Sequence, residues 1–217
     1  HNSWADQNSI VIWTRLTQTP EINLEGKKFL IPDKEQYELL LQTKNEATLL
    51  NAQLPKQSSL NEMDGACPGS EGQVRLTYYP ENNLEQQKTI GWKNVNPTAN
   101  FTRQWKLKKL QPNTTYIVKL EARADRKSPV TDQVEGRFYL PAEPDATSNP
   151  SFCIVSCHDY NRRDDEQKGH RIYQAMLKDE PDFYVHTGDI EYYDKAAPYA
   201  FTEELMFFQW DRLFGLP

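Results

Sequence analysis

The sequence predicts an all-β sandwich followed by the opening of an α/β layer. Three observations carry that prediction. Between residues 8 and 140, several segments alternate apolar and polar side chains with the period of half-buried strands. Residues 141–150 then contain three prolines and no bulky apolar side chain, the composition of a linker. Beyond it, two short apolar runs flank one amphipathic segment, the order of a strand–helix–parallel strand unit.

The elements follow in order. Residues 8–16 are β-branched and aromatic (Ile10, Val11, Ile12, Trp13) and form the first strand. Residues 20–72 are more than a minimal sandwich needs and read as an insertion. Within it, Tyr37, Leu40, Leu41, Leu49, Leu50 and Leu54 mark an amphipathic helix in 34–54, suited to pack on the sandwich or on the next domain. Residues 64–69 form a turn-rich loop. Residues 74–79 alternate until Pro80 ends them. Tyr116, Val118, Leu120, Ala122 and Ala124 share one strand face, and Lys119, Glu121 and Arg123 the wet face opposite. Residues 136–140 close the set.

The run Leu110-Gln111-Pro112-Asn113-Thr114-Thr115-Tyr116 has the pattern L-x-P-x-T-x-Y. It resembles the corner of fibronectin type III domains, where the tyrosine hydroxyl bonds back to upstream backbone. Residues 1–148 are therefore expected to form a fibronectin III-like domain with its insertion at about 20–72. Residues 149–217 begin a second domain. There, 151–157 reads as a buried parallel strand, 158–166 as a polar loop and 167–179 as a helix. Residues 182–189 are the second strand, and 200–214 a final helix with Phe201, Leu205, Phe208 and Leu213 near one face.

Charge narrows the function. The formal net charge is −6, with no basic stripe, which argues against a nucleic-acid-binding surface. No run of 18 apolar residues exists to form a transmembrane helix. Residues 1–148 hold 18 basic and 18 acidic side chains, and 149–217 hold 7 and 13, so all the excess lies in the second part. Three of four histidines and two of three cysteines lie there too. The surplus suits either a cation site or a solvated acidic surface.

Ligands in α/β sheets bind beyond the carboxyl ends of the strands. One strand here ends at Cys157 and the other at Asp189, with Tyr192 three residues on. Gly188 would allow close backbone approach. A thiolate, a carboxylate and a phenolate together favour a strongly Lewis-acidic metal such as ferric iron, and a carboxylate can bridge to a second, harder cation. Cys153, four residues earlier on the same face and so roughly 13 Å away along an extended strand, reads as core. Three cysteines define no disulfide framework, and the state of Cys67 stays open.

Gly188-Asp189-x-x-Tyr192 resembles the G-D-x-x-Y motif of purple acid phosphatases, within the metallophosphoesterase superfamily. Ser156-Cys157-His158, followed by His186-Thr187-Gly188-Asp189-Ile190-Glu191-Tyr192, looks more like the PhoD-like alkaline phosphatases and phosphodiesterases. That resemblance implies an N-terminal sandwich followed by a metallophosphoesterase domain. It also implies hydrolysis of phosphomonoesters or phosphodiesters by a metal-activated water, outside the cytoplasm (extracellular or periplasmic). It would make Cys157, Asp189 and Tyr192 ligands of Fe3+, with Asp189 bridging toward Ca2+; Zn or Mn is the alternative metal set. His186 would hydrogen-bond near the site, and His158 and Arg163 could touch the site or clamp phosphate. Which residues act as acid or base stays unassigned. The family's later Asp and His motifs do not occur before Pro217. The chain thus reads as the N-terminal portion of such an enzyme, inactive alone and completed by the rest of the catalytic domain. The substrate, whether monoester, diester or phospholipid, is not legible. The competing reading is a non-enzymatic extracellular binding module built on the sandwich.

Overall fold

A computed structural model describes residues 2–216. They divide into two compact units, one of residues up to 18 with 69–149, the other of 19–68 with 150 onward.

The first unit contains β1 (Asn2–Ala5), β2 (Ser9–Arg15), β3 (Gln73–Pro80), β4 (Lys88–Asn94), β5 (Thr102–Lys108), β6 (Thr114–Arg123) and β7 (Asp132–Leu140). They pair antiparallel in two sheets, ordered β1-β2-β5 and β4-β3-β6-β7. Ile10 and Ile12 of β2 and Trp105 and Leu107 of β5 share a core with Val74, Leu76, Tyr78, Val118, Phe138 and Leu140 of the other sheet. This is a sandwich, with side chains from two inner faces filling one layer.

The corner forms as its sequence predicts. The Gln111 N–H donates to Tyr116 Oη at 2.9 Å, and the Tyr116 ring stacks on Phe138 with centroids 5.4 Å apart. Three strands lie outside the sequence reading. Among the described residues β4 pairs with β3 alone, and as a solvent-facing edge strand it carries Lys88, Lys93 and Asn94 instead of an apolar stripe. β5 buries only Trp105 and Leu107, spaced by lysines. β1 is four residues long.

The insertion, placed by sequence within 1–148 but free to pack on either domain, groups with the second unit. The reason is apolar. Leu54, Met63 and Ala66 are buried with Phe208, and Phe29 meets Phe208 edge-on at 5.2 Å. Full burial of such side chains is worth roughly 1.5–3 kcal/mol each. The single expected helix is two, α1 (Lys34–Gln42) and α2 (Glu46–Asn51). Each has its own N-cap: Asp33 accepts from Gln36 N at 2.9 Å, and Asn45 from Thr48 N at 2.9 Å. A cap at Asn45 requires non-helical backbone there, which splits the run.

The second unit continues with β8 (Phe152–Val155), α3 (Arg171–Lys178), β9 (Phe183–His186) and α4 (Glu203–Phe214). β8 and β9 pair in parallel from Phe152↔Phe183 to Val155↔His186, with α3 in the segment between them. β8 is not the buried strand its apolar run suggests: Phe152 is 52% and Ile154 64% exposed. Two strands alone have no further layer to cover both faces. On α4, Leu205, Phe208 and Leu213 are buried as expected, and Thr202 caps the helix by accepting from Leu205 N at 3.2 Å. Gln53, fully buried, ties the insertion to the segment before α4. Its Nε2 donates to Tyr199 O at 3.0 Å, and its Oε1 accepts from Tyr199 N at 2.5 Å. No helix among the described residues is long and apolar enough to cross a membrane.

Candidate metal centre

The backbone bonding of β8 and β9 runs past their ends. Thr187 N donates to Val155 O at 2.8 Å, Cys157 N to Gly188 O at 3.2 Å and His158 N to Asp189 O at 2.8 Å. Both chains then turn through left-handed backbone, with φ +63° at Cys157 and +54° at Asp189. Left-handed backbone costs about 1–2 kcal/mol at most non-glycine residues, less at Asp, and such conformations cluster at functional sites. Gly188 has φ +117° and open space where a Cβ would lie. Its glycine serves the backbone angle, not the close approach expected from the sequence.

The two turns bring the three expected ligands together. Tyr192 Oη donates to Asp189 Oδ2 at 2.8 Å, and Cys157 Sγ lies 3.9 Å from the same oxygen. Cys157 and Asp189 are exposed and Tyr192 is partly so. Ser156 Oγ lies 3.4 Å from Cys157 Sγ, and the Lys195 ammonium sits 3.6 Å from the centre of the Tyr192 ring. The hydroxyls of Ser156 and then Tyr192 hold the Cys157 thiol below its ordinary range, toward thiolate. Hydrogen bonding to Cys157 and Asp189 pushes the Tyr192 phenol up. Its proton therefore stays on oxygen until a cation competes for the phenolate.

The donor set fits a Lewis-acidic cation: one sulfur, one carboxylate and one phenol oxygen around a shared point. Among the described residues no group of three or more His, Cys, Asp or Glu could hold a metal, and this cluster reaches three donor groups only when the Tyr192 phenol is counted. Three donors fall short of a full coordination shell, and further ligands are required.

The histidines lie behind this cluster. His186 Nδ1 accepts from Gly188 N at 3.3 Å, which leaves the His186 Nε2 hydrogen to donate to His158 Nδ1 at 3.0 Å. His158 in turn bonds the Tyr173 hydroxyl, and its ring lies 5.4 Å from that of His170. Burial, then the neighbouring His186 and His170, push His158 down to about 4, so it is neutral at physiological pH. His186 thus supports the Gly188 turn, and the His158 ring spends its bonds on Tyr173 and His186.

Arg163 is committed inward. Its Nη1 donates to Tyr160 O at 2.9 Å and its Nε to Glu166 O at 3.2 Å, its Nη2 lies 4.0 Å from Asp64 Oδ1, and its guanidinium covers the Tyr160 ring at 4.0 Å. With its side chain only 8% exposed, it is not placed to clamp phosphate, the role the sequence left open.

Sequence reasoning missed four nearby residues. Lys195 covers Tyr192, Asp64 accepts from the Tyr160 hydroxyl at 3.3 Å, and the Arg212 guanidinium lies 4.6 Å from the centre of the Tyr160 ring. Glu191 points inward, and burial pushes its carboxyl up to about 7 against the pull of Arg212. A carboxylate inside G-D-x-x-Y was the one signal available for Glu191.

No family model matches the chain, and no curated protein matches it. Among solved structures, one of PhoD is 19% identical at a TM-score of 0.48, over 87% of this chain and 26% of that one. The sensor domain of the anti-sigma factor RsgI4 of Pseudobacteroides cellulosolvens is 14% identical at 0.33, over 70% and 83%. The fn3 domain of human contactin 1 is 18% identical at 0.23, over 35% and 60%. The chain spans about a quarter of the PhoD structure it is similar to. None of these TM-scores reaches 0.5, so the functional reading rests on the residues themselves.

Proposed function

We propose that Cys157, Asp189 and Tyr192 are ligands in a metal-dependent phosphate-ester hydrolase, with Asp189 bridging Fe3+ and Ca2+. The observation that carries this is the convergence of Cys157 Sγ and Tyr192 Oη on Asp189 Oδ2, at 3.9 and 2.8 Å. The resemblance of Ser156-Cys157 and Gly188-Asp189-x-x-Tyr192 to PhoD-like phosphatases supports the same assignment.

Bound cations would supply Lewis acidity, activating water for attack on phosphorus and offsetting charge on the phosphoryl oxygens. The residues of the chain prepare the place. Ser156 and Tyr192 favour thiolate at Cys157. Asp189 shares one oxygen with both neighbours and has a second for a harder cation. The Lys195 ammonium over the Tyr192 ring favours the phenolate once its proton leaves. The His186–Gly188 bond holds the turn that aims Asp189.

Loading the complete protein, whose remaining part would supply the further ligands, with Fe3+, with and without Ca2+, tests the assignment by metal content and visible absorption. A tyrosinate–iron band is expected in that unaltered protein and should vanish in Tyr192→Phe. Iron content should fall at least about tenfold in Asp189→Asn. A colourless, iron-free protein that hydrolyses phosphomonoesters or phosphodiesters at full rate would overturn the ligand assignment and favour Zn or Mn.

A further inference from the structure

Behind the ligand cluster, three side chains join in one line of hydrogen bonds. Gly188 N donates to His186 Nδ1 at 3.3 Å, and His186 Nε2 lies 3.0 Å from His158 Nδ1. The Tyr173 hydroxyl meets His158 Nε2 and lies 3.3 Å from Nδ1 of the same ring. All three side chains are partly buried, and none is among the proposed ligands. The line runs from the turn that carries Asp189 to α3.

The first donor sets the direction of the rest. A backbone amide can only donate, so in the neutral ring His186 Nδ1 carries no hydrogen and Nε2 does. His158 Nδ1 must then accept, which places the His158 hydrogen on Nε2, facing the Tyr173 oxygen. An acceptor at Tyr173 thus keeps His158 in the one neutral tautomer that can receive His186. Backbone bonds close the circuit: His158 N donates to Asp189 O at 2.8 Å and Cys157 N to Gly188 O at 3.2 Å. The far end is held by packing. Tyr173 lies three residues before buried Met176, on the same side of α3. Its ring meets Tyr184 edge-on at 6.4 Å, and Tyr184 and His186 alternate onto one face of β9.

We propose that Tyr173 is a positioning residue for Asp189, acting through His158 and His186. Its oxygen selects the His158 tautomer, and the bonds that follow hold the Gly188 amide and the left-handed turn at Asp189, φ +54°. The proposal rests on the metal-ligand reading above. Hydrogen-bonded partners that orient metal ligands from behind affect metal affinity by about 10–100-fold.

Two measurements on the complete protein test this: nitrogen NMR of the imidazoles without metal at neutral pH, and Fe3+ titration followed by visible absorption. The variants are Tyr173→Phe, His158→Leu, their double and His158→Asn, with the thermal unfolding of each metal-free protein recorded alongside. In the unaltered protein, His158 and His186 are expected to carry hydrogen on Nε2 alone. Tyr173→Phe removes one oxygen. It should spread the His158 hydrogen over both ring nitrogens, weaken Fe3+ binding about tenfold and shift the tyrosinate band at saturating iron. His158→Leu should change binding and band alike, and His158→Asn, which keeps an amide acceptor for His186, should recover part of the loss. The double variant should be no worse than the poorer single, because both break one line. Hydrogen on His158 Nδ1 in the unaltered protein would overturn the proposal. So would Fe3+ binding by Tyr173→Phe within about twofold of the unaltered protein, or losses that multiply in the double variant. A lower unfolding temperature with unchanged affinity and band would show a merely structural role and overturn it too. If His158→Leu does not fold, Tyr173→Phe alone decides. The expected tautomers without any tyrosinate band in the unaltered protein would instead refute the ligand reading itself, and the positioning role with it.

Discussion

Each of the two units is held together internally by a different kind of contact. The sandwich draws apolar residues from two facing sheets into one core, and its buried Glu121 is fully paired with Arg75. The second unit has a smaller apolar cluster of Leu54, Met63, Ala66 and Phe208. It adds buried Gln53, Asp64, Asp159, Gln209 and Arg212 while leaving Phe152, Ile154 and Val185 exposed. Apolar burial is non-directional and stabilises a fold broadly. Buried polar links are worth less in net free energy but allow few arrangements. The unit that carries the candidate ligands is the one that relies on the directional kind.

The largest effects should come from the cores. Leu76, on the central strand β3, is fully buried. Leu76→Ala should cost about 3–4 kcal/mol, seen as a lower denaturant midpoint of the sandwich. Trp210 is the single tryptophan in the second unit, so its fluorescence reports that unit by difference from a Trp210→Phe background. The Trp210 signal should respond little to Leu76→Ala. A matched loss in both signals would show that the units unfold together and would break the comparison.

Gly65→Ala tests the other side. The added Cβ would meet Arg212 Cβ at 2.8 Å and Tyr160 at 3.1 Å, on backbone at φ +84°. Strain plus overpacking should cost about 2–3 kcal/mol, concentrated in the Trp210 transition. An unchanged Trp210 transition would mean that the Asp64–Tyr160–Arg212 contacts do not support this unit. Gln53→Met is milder. It preserves the side-chain length but strands Tyr199 N and O, a loss of about 1–3 kcal/mol. Stability equal to the unaltered chain would show that water replaces the amide.

What the sequence revealed follows the same division. β2, β3 and β6 were legible because a half-buried strand announces itself by period two. β4 was not, because an edge strand carries charge where a central one is apolar. Cys157 and Asp189 were legible because strand ends are where α/β ligands gather. The Arg212–Tyr160 and Asp64–Tyr160 contacts were not. They join residues far apart in the chain, and an Asp or Arg read singly looks like a solvated side chain. The insertion's grouping was hidden for the same reason: nothing within 20–72 says that Met63 meets Phe208.

The smallest predicted effect sits on the sandwich, where polar pairing should matter least. Arg75 Nε and Nη2 hold Glu121 at 2.6 and 2.9 Å. That hydrogen bonding lowers the Glu121 carboxyl below its ordinary range, with burial opposing. A carboxyl whose folded pKa is depressed stabilises the fold above its unfolded pKa of about 4.3. The contribution is lost as pH falls through the lower folded pKa. Glu121→Gln should therefore cost at most about 1 kcal/mol near neutral pH, the scale of a partly exposed pair. The gap between variant and unaltered chain should close on acidification through the carboxylate range, read as denaturant midpoints at several pH values. A gap that stays constant across that range would mean packing, not charge, holds Glu121. A gap larger than that of Gln53→Met would reverse the comparison, making the sandwich the unit that relies on its polar links.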